Sequence, residues 1–298
     1  MSKAPKDIFQ KCRDYRDTAD ARAQGFYPYF RSIEEPHGNY VICEGERKIM
    51  IGSNNYLGLA QDPRVVEAAC EAIKKYGSGC TGSRLLNGTI KLHVELEEAL
   101  ADFLGRDAAI LFSTGFFANQ GALIALTEDG DAILCDRENH ASIIDGCNFA
   151  PGKLIPFRHN SASSLENRLK RLPDEAGRVV ILDGVFSMSG DIAELPEINA
   201  AAKRHHAAMY VDEAHSLGVL GRQGRGAVDH FGLNDEVEIV MGTFSKSLGS
   251  MGGFIAGDAQ MIDPPSDEAT ADDPGQRVRA VHDRPGDARE GDRERHRA

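Results

Sequence analysis

Seven short apolar runs, separated by longer stretches of mixed polarity, limit this chain's fold more than any other feature. They occupy residues 108–112, 132–135, 153–157, 179–183, 208–212, 237–241 and 254–256. The run at 179–183 is apolar without alternation until its closing Asp183, as expected of a strand covered on both faces. Helical or loop segments fill the gaps. That rhythm predicts an α/β fold with a mostly parallel sheet between helices. No internal repeat is present.

The stretch before the first run has its own signals. Residues 1–60 read as an N-terminal arm with short strands around 40–43 and 48–51. Asp62-Pro63 supplies an N-cap and a first-turn proline. The helix it opens carries Val66, Ala69 and Ile73 on one face and stops near Gly77. A second helix places Leu92, Leu96, Leu100 and Phe103 at helical spacing. Residues 61–263 then form one large domain. The segment 264–298 has no Leu, Ile, Phe, Tyr or Met, and only Val278 and Val281 could anchor a core. Such a stretch cannot offset its ordering entropy, so disorder is expected.

Composition removes several function classes. A net charge of −12 argues against nucleic acid or an anionic membrane surface as the main partner. No apolar run approaches the roughly 18 residues of a spanning helix, and the first residues lack the apolar core of a signal peptide. The six cysteines are scattered with no C-x-x-C pair. They read as reduced thiols of a cytoplasmic protein, not as a metal site.

Several polar residues sit where strands end. Lys246 lies in Gly242-Thr243-Phe244-Ser245-Lys246-Ser247, just past an apolar run. A lysine there can form a Schiff base with an aldehyde cofactor while Thr243 and Ser245 hold a phosphate. Asp212 closes another run, with His215 three residues on, and a carboxylate at that position can hold a pyridine nitrogen protonated. The letters Asp212-Glu213-Ala214-His215 also spell a helicase box, but no P-loop lies upstream. Ser113-Thr114-Gly115-Phe116 is a small-residue turn whose backbone N–H groups could bind an anion at a helix start. Gly77-Ser78-Gly79-Cys80-Thr81-Gly82 matches G-x-G-x-x-G, yet a helix precedes it where a dinucleotide site needs a strand. His140 and Ser187 lie in loops and say little alone.

Taken in order, these stretches resemble the α-oxoamine synthases, pyridoxal-phosphate enzymes of the fold-type I class. The resemblance covers roughly residues 25–262. It is carried by Ser53-Asn54-Asn55-Tyr56-Leu57-Gly58, Thr81-Gly82-Ser83-Arg84-Leu85-Leu86-Asn87-Gly88-Thr89, and the segments 113–119, 139–146, 183–191, 211–218 and 242–253. It implies pyridoxal 5'-phosphate as cofactor. Lys246 would carry the Schiff base and move the Cα proton. Asp212 would pair with the ring nitrogen, His215 with the ring hydroxyl helped by Ser187, and His140 would stack on the ring. Gly115, Phe116, Thr243 and Ser245 would hold the phosphate, and Asn54 and Asn55 would lie near the substrate.

Tyr27-Pro28-Tyr29-Phe30-Arg31 and Phe157-Arg158-His159-Asn160 resemble the soluble members that condense L-serine with a long-chain acyl-CoA to a 3-ketosphingoid base. Members making 8-amino-7-oxononanoate or acetylating glycine are alternatives, as is a non-catalytic structural paralogue. A homodimer with the site at the subunit interface is implied. Members of the family continue into a small C-terminal domain carrying an arginine for the substrate carboxylate. Nothing like it follows Asp263, so the small domain is expected to be truncated and activity weak. The 264–298 segment reads like an out-of-frame continuation.

Overall fold

A computed structural model describes residues 7–262. The expected disorder of 264–298 lies outside the described residues. The chain divides into two compact units after Ser53, ahead of the expected boundary at residue 60.

The first unit has two short helices, α1 (Gln10–Asp14) and α2 (Asp17–Ala23), and three strands, β1 (Ile33–His37), β2 (Tyr40–Cys43) and β3 (Glu46–Ile49). The strands form an antiparallel sheet in the order β1-β2-β3. Only the central strand buries side chains, Val41 and Cys43. β1 has no counterpart in the sequence expectation. It contains Pro36, which an edge strand tolerates because its unpaired side needs no N–H.

The second unit opens with α3 (Pro63–Tyr76) and α4 (Lys91–Leu104). Asp62 caps α3 by accepting from Arg64 N at 2.9 Å, Pro63 fills the first turn, and Gly77 ends the helix at φ 85°. The helix forms as expected, but among the described residues its apolar face stays open. No α3 residue is buried, and Val66 and Ile73 are 47% and 57% exposed. α4 is split in the same way: Leu92 and Leu96 are exposed while Leu100 and Leu104 enter the core. Arg84 clamps Glu97 of α4 with two bonds of 2.9 Å, and Glu97 also accepts from Leu111 N at 2.9 Å.

The rest alternates: β4 (Ala108–Phe112), α5 (Gly115–Leu126), β5 (Ala132–Asp136), α6 (Ala141–Phe149), β6 (Lys153–Phe157), α7 (Ala162–Leu169), β7 (Arg178–Asp183), α8 (Leu195–Arg204), β8 (Ala208–Asp212), α9 (Ala227–His230), β9 (Ile239–Thr243), β10 (Gly253–Gly257) and α10 (Ala259–Ile262). All seven strands join one sheet in the order β4-β10-β9-β8-β7-β5-β6. β10 runs antiparallel to both its neighbours, and the other pairings are parallel.

Alternating side chains feed two cores, one on each face. Leu111, Leu134, Leu182, Val211 and Val240 pack with α4, α7 and α8. Ile110, Ile133, Ile181, Tyr210 and Met241 pack with α5 and α6. Strand β9 starts two residues later than the apolar run suggested and extends through Gly242 and Thr243. Thr243 is therefore a strand-end residue, two residues past Met241, which is the register partner of Asp212 at the end of β8.

Candidate active site

The carboxyl ends of the parallel strands, where ligands sit in open α/β sheets, surround a cavity of about 270 Å³. Its lining includes Gly115, Phe116, His140, Asp212, His215, Thr243, Ser245 and Lys246 from the sequence expectation. Asp183, Ser142 and Met251 join them.

Each strand or turn delivers its residue by local rules. Thr114 caps α5, its hydroxyl accepting from Phe117 N at 3.1 Å. Gly115 and Phe116, the first residues of α5, line the cavity at a helix start, where an anion is favoured. Gly115 lets Met241 and Thr243 approach closely there. A Cβ on it would stand 2.9 Å from Met241 Cε and 3.0 Å from Thr243 Oγ1. Thr243 Oγ1 donates to Gly252 O at 3.0 Å and lies 2.9 Å from Ser245 Oγ. Two hydroxyls thus sit beside the α5 start.

Asp212 is held from below. Its Oδ2 accepts from Asn119 Nδ2 at 2.8 Å and its Oδ1 from Ala214 N at 2.9 Å. Asn119 also donates to Ser142 Oγ at 2.9 Å and accepts from Tyr210 OH at 2.8 Å. Ser142 Oγ is 2.8 Å from His140 Nδ1, and Ser142 N donates to the same nitrogen at 3.2 Å. His140 Nδ1 is therefore the acceptor and Nε2 carries the proton. A continuous relay joins Asp212 to the His140 ring, which meets Phe116 edge to face at 6.5 Å.

Lys246 is partly buried in the same cavity. Burial lowers its ammonium below the ordinary lysine range, against the pull of Asp212 and Asp183. His215 is driven down to about 4, first by burial and then by the Lys246 charge. Its Nδ1 lies 2.7 Å from Tyr56 OH, which donates to Asn54 Oδ1 at 3.2 Å.

Not every expected residue arrives. Ser187 lies on an exposed turn and is not among the cavity's lining residues. Its distance from the buried strand end follows from the loop after β7, which carries it outward. Asn55 accepts from Ala60 N at 3.3 Å and serves its own turn. Asn54 reaches the site only through Tyr56. Glu213 of the helicase-like letters is fully buried and accepts from Ala227 N at 2.7 Å and Val228 N at 2.8 Å. That carboxylate anchors α9 and is withdrawn from any phosphate or metal. Among the described residues no cluster of His, Cys, Asp and Glu could hold a metal ion.

Asn119, Ser142, Tyr56 and Asp183 were not assigned roles from sequence. The signal for Asp183 is legible in hindsight: β5, β7 and β8 each end in Asp, at 136, 183 and 212.

A doubly covered, mostly parallel sheet with lysine, aspartate and a helix start converging at its strand ends is the large-domain architecture of fold-type I enzymes. The family model for aminotransferase class I and II matches residues 46–267, and the chain belongs to that family, in its α-oxoamine synthase branch. A serine palmitoyltransferase of Sphingobacterium spiritivorum is 50% identical over 256 residues, 86% of this chain and 64% of the relative. An 8-amino-7-oxononanoate synthase of Thermosipho melanesiensis is 45% identical over 248 residues, 83% of this chain and 63% of the relative. Among solved structures, a serine palmitoyltransferase of S. paucimobilis with PLP and myriocin bound superposes with a TM-score of 0.83 at 37% identity. It covers 93% of this chain and 72% of that one. The chain thus spans somewhat under two thirds of the curated relatives' length.

Proposed function

We propose that this chain is the cofactor-binding part of a pyridoxal-phosphate-dependent acyltransferase. It joins L-serine to a long-chain acyl-CoA, releasing CO₂ and free CoA and leaving a 3-ketosphingoid base. The observation that carries this reading is the single cavity gathering Lys246, Asp212, His140 and His215 beside the start of α5.

The residues fit pyridoxal phosphate on three counts. The cavity is of a size for one substituted ring. Gly115 leaves a cradle that a Cβ would fill, flanked by two hydroxyls. A buried carboxylate and a lysine of lowered pKa share the floor. When bound, the cofactor supplies the electron sink that makes an amino acid's Cα proton removable.

The chain's residues do the rest. Gly115 and Phe116 N–H, with Thr243 Oγ1 and Ser245 Oγ, bind the phosphate. Asp212 would accept from the ring N–H and keep that proton in place. His140, fixed by Ser142, would orient the ring. His215 would hydrogen-bond the ring oxygen. Lys246 Nζ, more easily deprotonated than an exposed lysine, would hold the cofactor and move the Cα proton. Asn54, tied to His215 through Tyr56, would lie near the substrate, whereas Asn55 and Ser187 are left out of this set.

A second cavity of about 850 Å³ has Leu57, Leu96, Phe103, Leu111 and Phe244 in its lining and shares Met251 and Gly252 with the first. It supports a long acyl chain as the second substrate. The chain acts as a homodimer, supported by Ile73, Leu86 and Phe117, which are apolar and exposed at 57%, 83% and 48%. Six free cysteines support a cytoplasmic location.

The test adds pyridoxal phosphate to the purified protein and to Lys246→Ala. An absorbance band near the visible edge should appear in the first and be missing in the second. If both behave alike, the reading fails. A panel of serine, glycine and alanine then separates the alternatives. Serine should perturb the band at the lowest concentration. A preference for alanine would favour 8-amino-7-oxononanoate synthesis, and one for glycine an acetyltransferase.

A further inference from the structure

Asp183 ends β7 directly beside Asp212 at the end of β8, and the two are register partners in a parallel pair. Both line the cavity, and they are 3% and 4% exposed. Two carboxyl groups so close in a dry strand edge repel as anions, and one keeps its proton. The hydrogen bonds decide which. Asp212 receives an N–H on each oxygen. Asp183 receives one, from His140 N to Oδ2 at 3.2 Å, and its Oδ1 is buried with no partner. An orphaned buried oxygen in a site calls for a function.

The charged groups facing Asp183 point the same way. Burial first, then the charge of Asp212, push its carboxyl well above the ordinary range, and Asp136 adds to this. The His140 N–H and the Lys246 ammonium oppose it.

We propose that Asp183 is a further catalytic residue, a neutral carboxylic acid that donates its proton in a hydrogen bond to an anionic oxygen of the group seated in the cavity. This rests on the reading that the cavity takes pyridoxal phosphate and an amino acid. Two oxygens share the required chemistry: the cofactor's ring oxygen and the amino acid's carboxylate. A neutral donor stabilises either without adding a second negative charge beside Asp212.

The test compares the protein with Asp183→Asn, which keeps a donor in place, and Asp183→Ala, which removes it. Infrared spectra at neutral pH should contain the carbonyl stretch of a protonated carboxylic acid that Asp183→Asn lacks. Asp183→Asn should bind pyridoxal phosphate and respond to serine within about threefold of the parent. Asp183→Ala should lose about tenfold or more. A loss in cofactor affinity assigns the acceptor to the ring oxygen. A loss confined to the serine concentration needed assigns it to the carboxylate. The proposal is overturned if the infrared band is unchanged in Asp183→Asn, or if Asp183→Ala matches the parent in both titrations. Should Asp183→Ala not fold, the infrared band and Asp183→Asn decide. Should the parent itself bind no cofactor, the proposed function fails, while the infrared band still tests the proton on Asp183.

Discussion

Replacing Asn119 with alanine cuts the relay beneath the cavity at its centre. Asn119 is fully buried and makes three hydrogen bonds, to Asp212 Oδ2, to Ser142 Oγ and from Tyr210 OH. Ser142 keeps its contact with His140, and Asp212 keeps the Ala214 N–H. The Tyr210 hydroxyl, fully buried among apolar side chains, is stranded. Stranding a hydroxyl costs about 1–3 kcal/mol, and a hydrogen bond to a carboxylate contributes about 1.5–3 kcal/mol. The two losses share one side chain and do not add fully. The expected destabilisation is about 2–4 kcal/mol. Urea unfolding followed by circular dichroism measures it, and the chain's lack of tryptophan makes that the suitable probe. Tyr210→Phe removes the stranded group, so the double variant should recover about 1 kcal/mol relative to the sum of the singles. A change below about 0.5 kcal/mol in Asn119→Ala, or strict additivity with Tyr210→Phe, would refute the relay.

Two further outcomes follow from the site. His215 has a folded pKa depressed to about 4, so the unfolded chain takes up this proton first on acidification. Stability should be full above the ordinary histidine range and fall as pH drops through it toward about 4. His215→Gln should flatten that part of the profile, read as urea midpoints at about pH 7 and about pH 5; parallel profiles for the two proteins would contradict the assignment. Gly115→Ala puts a Cβ against the flexible end of Met241 and against the Thr243 side chain, which must both give way at the cavity wall. Pyridoxal phosphate affinity should fall about tenfold or more, and unchanged binding would remove the α5 start as the phosphate cradle.

Much of the site was legible because its residues sit at strand ends, and the strands announce themselves as apolar runs. Asp212 closes such a run, and Lys246, His140 and Gly115 each follow one by a few residues. Ser187 follows one too, yet the loop after β7 is long enough to carry it outward. Asp183 was passed over because one strand end looks like another until the pairing is known. Helix α3 has its apolar face, Val66, Ala69 and Ile73, where the spacing puts it, but periodicity reports only that a face exists, not what covers it.

What the sequence by itself determined is the set of elements and the chemistry at their ends. Runs of β-branched and aliphatic residues demand burial on both faces, and glycine, proline and capping residues stop the helices where they do. Tertiary structure decided the adjacency. The order β4-β10-β9-β8-β7-β5-β6 sets β7 beside β8 and so pairs Asp183 with Asp212, and it inserts β10 antiparallel between β4 and β9. It also threads Asn119 from α5 between Asp212 and Tyr210 of β8 and Ser142 of α6. Local propensity acts over a few residues, whereas these contacts join positions up to 93 residues apart. Packing against the shared sheet alone brings them within hydrogen-bond reach.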